Sequence, residues 1–135
     1  MRLSSLADYA VVVMSAAARH GCGARLSATL LAEETGVPLP TAQKLMQKLA
    51  GAGLLSSLRG TGGGFKLTRP AAAINLAEII EAIEGPIAMT TCVDHHREDC
   101  ALEEACQTRP HWGAINGAVR GALAAVPLTQ LAEAR

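Results

Sequence analysis

The 135-residue chain is half hydrophobic and has no net formal charge, which is enough apolar material for the core of one domain. It contains no apolar run of about 18 residues, and its first ten residues show neither a long apolar stretch nor a secretory cleavage motif. These features argue against a membrane-spanning protein and predict a cytoplasmic one with no membrane partner.

The charged residues are unevenly distributed. Residues 1–69 hold eight basic side chains against three acidic ones, whereas residues 70–135 hold four against nine. A basic N-terminal half predicts contact with a polyanion such as double-stranded DNA. The alternative is a chance scatter of solvated charges.

A first helix is predicted over residues 4–21. Ser5 is placed to cap this helix, and Asp8 follows three residues later in the capping-box position. Asp8 therefore has a possible structural role beside any functional one.

Two further helices follow with a very short connection. The segment 26–37 predicts a helix capped by Ser27 and ended by Gly36. The segment 38–53 predicts the next helix, since prolines are tolerated in a first turn and apolar residues then recur at helical spacing. This is the helix-turn-helix pattern, although a generic helical hairpin shows it too.

A short hairpin is predicted after the third helix. Two strand-like runs, Leu54–Leu58 and Phe65–Thr68, flank the glycine-rich stretch RGTGGG. A hairpin in this place is a wing, and Arg59 with Gly60 on a slender tip suits a narrow minor groove. A phosphate-binding loop is the alternative, but the stretch lacks Gly-Lys-Ser/Thr and no helix follows it directly.

Two helices are predicted in the C-terminal half. The first is capped by Asn75 and closed by Gly85, and the second is a long, weakly polar helix broken at Pro127. We expect the long helix to mediate dimerisation, because small side chains let two helices approach closely; packing within one chain is the alternative. The apolar face of that helix consists of Ala114, Ile115, Ala118, Ala122, Leu123 and Val126.

Three of the four cysteines form a cluster, Cys92, Cys100 and Cys106, with the spacing C-x7-C-x5-C. Zinc sites usually pair cysteines about two to four residues apart. The wider spacing favours a larger cofactor, and thiolates are the usual ligands of iron–sulfur clusters. Three free cysteines are the alternative. Cys22 has no partner in the sequence, and the absence of a C-x-x-C or nucleophile motif argues against an enzyme.

The sequence resembles the Rrf2 family of bacterial winged-helix repressors, the group of IscR and NsrR, over nearly its whole length. The resemblance is carried by MRLSSLADYAV, by LAEETGVPLPTAQKLMQKLAGAGLLSSLRGTGGGFKLTRP and by EIIEAIEGP. The residues LSSLADYA and the longer first cysteine spacing look most like those of the SUF-system assembly regulators. The family resemblance implies a homodimer that binds a palindromic operator through helix and wing. It also implies an iron–sulfur cluster, 2Fe-2S or 4Fe-4S, in a repressor of cluster-assembly or stress genes.

The resemblance also implies a ligand set, in which the three clustered cysteines hold the cluster. IscR-like members use a histidine three residues after the last cysteine. This chain has Arg109 there, which stays protonated, and His111 lies two residues further on. NsrR-like members use an aspartate early in the first helix of the partner subunit, and Asp8 matches that position. We prefer Asp8 as the fourth ligand, with His111 as the alternative.

The start of the third helix and the wing are expected to contact DNA. Gln43 suits a bidentate pair with adenine, a contact that contributes about 1–3 kcal/mol of discrimination. The basic side chains are expected to meet phosphates. The expected DNA-contacting residues are Arg2, Pro40, Thr41, Gln43, Lys44, Lys48, Arg59 and Gly60.

The predicted fold is therefore mainly α with a small β-hairpin: a winged helix-turn-helix plus a long C-terminal dimerisation helix. We assign residues 1–85 to the DNA-binding domain, residues 86–110 to a cysteine-rich cluster-binding loop, and residues 111–135 to the dimerisation helix and tail. The alternative function is a zinc-binding or cluster-free winged-helix DNA-binding protein without a sensing role.

Overall fold

The computed structural model describes residues 2–60, 63–89 and 109–133, apart from the side chains of residues 109 and 110. Its elements in chain order are α1 (Ser5–Arg19), α2 (Ala28–Thr35), α3 (Leu39–Gly51), β1 (Leu55–Leu58), β2 (Gly64–Leu67), a 3₁₀ turn (Ala71–Ala73), α4 (Leu76–Glu84), α5 (Arg109–Ala124) and α6 (Leu128–Glu133). The predicted fold class, mainly helical with a small hairpin, is confirmed. Within the described ranges, no helix is long and apolar enough to cross a membrane.

The start of α1 differs from the sequence-based prediction. Ser4, not Ser5, is the N-cap, and its side chain accepts a hydrogen bond from the backbone N–H of Ala7 at 3.1 Å. The backbone N–H of Ser4 in turn donates to a carboxylate oxygen of Glu84 at 2.9 Å. Asp8 therefore lies one residue beyond the capping-box position, and the predicted Ser5–Asp8 capping pair is wrong.

The caps predicted for α2 and α4 are confirmed. Ser27 accepts from the N–H of Leu30 at 3.0 Å, and Gly36 ends α2 in the left-handed conformation with φ +82°. Asn75 accepts from the N–H of Glu78 at 3.0 Å at the start of α4. These bonds satisfy donors that a helix N-terminus would otherwise leave unpaired.

One hydrophobic core joins α1, α2, α3, α4 and α6. Fully buried side chains from each helix meet there, among them Met14, Leu31, Leu45, Ile79 and Leu128. Burial of each such side chain contributes about 1.5–3 kcal/mol. Since Leu128 lies in this core, the chain returns to the winged-helix unit after α5. The division at residues 85 and 110 stays a prediction.

The hairpin is attached to the rest of the winged helix by an isolated β-bridge. Strands β1 and β2 pair antiparallel from Leu55 opposite Leu67 to Leu58 opposite Gly64, within one residue of the predicted bounds. Leu26, which precedes α2, pairs with Phe65 through two reciprocal backbone hydrogen bonds of 2.7 Å. These bonds fix β2 against the residue that leads into α2.

Candidate functional site

The helix-turn-helix presents an amphipathic α3. A turn of three residues, Gly36–Pro38, separates α2 from α3. One face of α3 is buried in the core through Ala42, Leu45, Met46 and Leu49. Of the DNA-contacting residues predicted on this helix, Thr41 is half-buried, and the four exposed ones are Pro40, Gln43, Lys44 and Lys48.

The same face includes a residue that the sequence interpretation missed. Gln47 is exposed and lies one helical turn after Gln43. Its position four residues beyond a predicted contact was the signal that could have identified it. The exposed face of α3 therefore carries two amides and two ammonium groups, which suits reading base edges and binding phosphates.

The wing adds a second group of basic side chains. Arg59 directly follows β1 and is exposed, as are Gly60 and Lys66. The tip closes through a hydrogen bond from the N–H of Gly63 to the carbonyl of Gly60, at 3.0 Å. Lys66 was not among the predicted contacts, although its strand alternation with buried Leu67 indicated an outward side chain.

Arg2 lies beside α4 and α5. It lines a groove of about 760 Å³ with Glu84 at the end of α4 and with residues of α5. The structure packs α3 against β1 of the wing. It places Arg2 beside α4 and α5.

The groove itself is mainly apolar and runs along the side of α5. Its lining includes Leu3, Ile80, Ile87, Met89, Val119 and Leu123. Beside it, the small residues of α5 face outward, with Ala114, Ala118 and Ala122 exposed and Ile115 exposed to 42%. Of the predicted dimerisation face, only Leu123 and Val126 are half-buried within the single chain.

Asp8 lies against the turn of the helix-turn-helix. Its side chain is exposed, and among the described residues it accepts no hydrogen bond. Asp8 lines a small cleft of about 150 Å³ together with Tyr9, Val12 and the four residues Thr35–Pro38. A free carboxylate therefore lies beside the residues that set the angle between α2 and α3.

The other predicted ligands are placed as follows. Cys92, Cys100 and Cys106 lie outside the described residues. His111 is exposed in the first turn of α5, and Cys22 is exposed in the turn after α1. The part of the chain that the structure describes holds no group of three potential metal ligands.

Two carboxylates at the end of α4 are held by specific partners. Hydrogen bonds from Arg120 lower the pKa of Glu81, and the guanidinium approaches Glu81 Oε1 to 2.7 Å. Contacts with the side chain and backbone of Ser4 lower the pKa of Glu84. These pairs join α4 to α5 and to the start of α1.

Comparison with known proteins agrees with this arrangement. The profile of the Rrf2 family, described as iron-dependent transcriptional regulator, matches residues 3–134. The HTH-type transcriptional regulator IscR of Photorhabdus laumondii is 33% identical over 131 residues, which cover 97% of this chain and 79% of that protein.

Solved structures show the same fold. The structure of CymR, the global cysteine regulator of Bacillus subtilis, superimposes with a TM-score of 0.73 at 27% identity and covers 98% of this chain and 96% of that one. An oxidised form of Staphylococcus aureus CymR gives a TM-score of 0.70 at 28% identity, with 100% and 98% covered. The relatives are DNA-binding transcriptional regulators and not enzymes, and this chain belongs to the Rrf2 family of transcriptional regulators.

Proposed function

We propose that this protein is a homodimeric transcription regulator, a repressor of iron–sulfur-assembly or stress genes, whose DNA binding depends on an iron–sulfur cluster. The observation that carries the proposal is the placement of Asp8, an exposed carboxylate without a hydrogen-bond partner among the described residues, beside the turn Gly36–Pro38. A cluster bound by Asp8 would lie against the turn that orients α3.

The donor set has the chemistry of a cluster site. Cys92, Cys100 and Cys106 would supply thiolates, the usual ligands of iron–sulfur clusters, and Asp8 of the partner subunit a fourth, oxygen ligand. When bound, the cluster supplies sensitivity to oxidants, nitric oxide or iron supply. His111, exposed at the start of α5, is the alternative fourth ligand.

The proposed dimer uses α5. In the single chain its small residues are exposed and adjoin an apolar groove of about 760 Å³. A second copy of α5 is the occupant that we propose for this groove, because Ala114, Ala118 and Ala122 allow two helices to approach closely and Ile115 would then be covered. In this arrangement residues 1–85 bind DNA, residues 86–110 hold the cluster, and residues 111–135 supply the dimer helix and tail.

The DNA contact follows from the exposed face of α3. Gln43, Gln47, Lys44 and Lys48 are exposed. We expect the two amides to read base edges and the two ammonium groups to bind phosphates. Arg59 and Gly60 would enter the neighbouring minor groove. Two such units related by a two-fold axis require a palindromic operator.

A second candidate function is a cluster-free regulator. The observation that favours it is the likeness to CymR, described as a global cysteine regulator, at a TM-score of 0.73. In that case the cysteines of this chain would act as thiols or hold zinc, and the same α3 and wing would bind DNA.

Metal analysis separates the two candidates. Protein purified without oxygen should be brown, with iron and acid-labile sulfide in equal amounts and no zinc. Replacement of Cys92, Cys100 or Cys106 with Ala should remove the colour but leave the dimer, while Cys22→Ala, the matched control, keeps the colour. A colourless wild-type protein, with or without stoichiometric zinc, would support the second candidate.

A further inference from the structure

The segment that leads from α4 toward the cysteines is held by side chains rather than by secondary structure. Residues 87–89, which we term the stem, directly follow Gly85-Pro86 and end three residues before Cys92. Three of the backbone polar groups in the stem have side-chain partners. The N–H of Ile87 donates to Glu81 Oε2 at 3.0 Å, the carbonyl of Ile87 accepts from Asn116 Nδ2 at 2.8 Å, and the N–H of Met89 donates to Asn116 Oδ1 at 2.8 Å.

The contact of Asn116 imitates a neighbouring β-strand. In a strand, the carbonyl of one residue and the N–H two residues later point to the same side, and a partner strand binds both. One carboxamide offers the matching donor and acceptor, and only one orientation of that amide satisfies both groups of the stem. Asn116 is thus bonded to the stem in a single register.

The position of this residue argues for a specific role. Asparagine is among the weaker helix formers, because its side chain competes for backbone hydrogen bonds, yet Asn116 lies in the interior of α5. Its side chain is half-buried between α5 and the stem. Its neighbours Ile115 and Gly117 are exposed, so the asparagine is the residue that turns toward the stem.

Glu81 of α4 binds the stem at a second point. It accepts from the stem at Ile87 and is itself bound by Arg120 of α5, which approaches to 2.7 Å. The stem therefore has a fixed position relative to both α4, which packs on α1 and α3, and α5.

We propose that Asn116, supported by Glu81 and Arg120, is the positioning residue for the cysteine-bearing segment. The consequence of this inference rests on the proposed function, since a fixed stem sets the point from which the chain continues toward Cys92, the first cysteine of the proposed cluster site. The hydrogen-bonded arrangement itself is independent of any cofactor.

The test uses amide hydrogen exchange of the full-length, cluster-free protein. In Asn116→Ala the N–H of Met89 loses its acceptor and should exchange at least tenfold faster, while the amides of α1 and α3 keep their rates. Arg120→Ala is the matched control on the same helix: it should speed exchange at Ile87 by loosening Glu81 but leave Met89 within about twofold of the wild type. Asn116→Asp retains an acceptor for Met89 but places oxygen opposite the Ile87 carbonyl, so Met89 should exchange at an intermediate rate.

The positioning role is read from the rate at which a chelator removes iron from anaerobically purified protein. We expect loss several-fold faster in Asn116→Ala than in the wild type, at equal initial iron content, with Asn116→Asp in between. Unchanged exchange at Met89 in folded Asn116→Ala, or in Asn116→Asp if the alanine variant does not fold, would overturn the hydrogen-bonded arrangement. Altered exchange with an unchanged rate of iron loss would overturn the positioning role, and a wild-type protein without iron would overturn the proposed function but not the arrangement.

Discussion

Gly64 packs against the backbone carbonyl of Leu26 so closely that any side chain at Gly64 would overlap it. A Cβ at Gly64 would be 2.4 Å from that oxygen, and Gly64 has a φ of +152°, which L side chains rarely adopt. The neighbouring Phe65 makes two backbone hydrogen bonds of 2.7 Å with Leu26, so the strand cannot withdraw without breaking them. The glycine is therefore required for the wing to attach to the helix-turn-helix.

Replacement of Gly64 with Ala should destabilise the fold and weaken DNA binding together. The steric overlap should cost about 1–3 kcal/mol beyond the backbone strain. Gly23→Ala is the control, because Gly23 has a φ of +94° with nothing within 4 Å, so only the strain of roughly 1–2 kcal/mol applies. Urea unfolding measures both. An equal loss of unfolding free energy in the two variants would show that the contact with Leu26 does not contribute to stability.

Removal of the wing cation should weaken operator binding without affecting the fold. Arg59 is exposed and makes no hydrogen bond or ion pair with any described residue, so Arg59→Ala should leave the midpoint of thermal unfolding unchanged. If the guanidinium lies in the minor groove, affinity should fall by about tenfold or more, as for a specific contact of 1–3 kcal/mol. Unchanged affinity in the folded variant would remove the wing from the account of binding.

Substitution of Gln43 and substitution of its neighbour Lys44 on α3 should affect DNA binding in different ways. Gln43→Ala should relax discrimination at one base pair of each half-site, whereas Lys44→Ala should weaken binding to all sequences and reduce the slope of log K against log salt by about 0.9. Both side chains are exposed, so neither change should alter stability by more than about 0.5 kcal/mol. Titration of each variant against operator and mutant duplexes at several salt concentrations separates the two effects. An equal loss on every duplex for Gln43→Ala would contradict the assigned role.

The fourth ligand can be tested with a stability control. Asp8→Ala should alter the cluster spectrum and speed its loss to chelators, with little change in unfolding free energy, since Asp8 is not part of the helix cap. Ser4→Ala, by contrast, should cost about 0.5–2 kcal/mol and leave the spectrum intact, and Ser5→Ala should do neither. An altered spectrum in His111→Ala with a normal one in Asp8→Ala would assign the fourth position to the histidine.

The ion pair between Glu81 and Arg120 should contribute to the pH dependence of stability. Its hydrogen bonds lower the pKa of Glu81 from its usual 4.5, so the folded state favours the carboxylate. That stabilisation is fully present above the ordinary pKa and is lost as pH falls through the lowered one. Unfolding measured between pH 3 and 6 should therefore change less steeply in Arg120→Ala than in the wild type. Arg19→Ala is the control, because Arg19 binds the carbonyl of Ala132 and, among the described residues, no carboxylate. Its profile should stay parallel to that of the wild type.

Local sequence signals predicted much of the fold. Ser27, Gly36 and Asn75 were identified correctly because capping depends on residues within one turn of each cap. The start of α1 was missed because two adjacent serines satisfy the same local rule. The choice of Ser4 coincides with a hydrogen bond from its backbone to Glu84, 80 residues away, which no local pattern indicates.

The contacts that position the site are likewise non-local. Leu26 pairs with Phe65, 39 residues away in sequence. Asn116 contacts the stem at Met89 and Ile87, 27 and 29 residues away. Both contacts depend on how the helices pack. The sequence identified the exposed polar face of α3 through its helical period, apart from Gln47. It also indicated Asp8 as a candidate ligand, which stays a prediction, but not that this carboxylate lies beside the turn of the helix-turn-helix.

If the cluster controls DNA binding, removal of its iron must change the affinity of the protein for its operator. A duplex selected by the anaerobic wild-type protein from a random-sequence pool is titrated with a single preparation before and after its iron is removed by chelation. We expect affinity for the selected duplex to change by at least tenfold on iron removal, to be restored on anaerobic reconstitution, and to be insensitive to chelator in a Cys92→Ala protein. The same affinity before and after removal of the iron would contradict the account and leave a DNA-binding regulator without a sensing cluster.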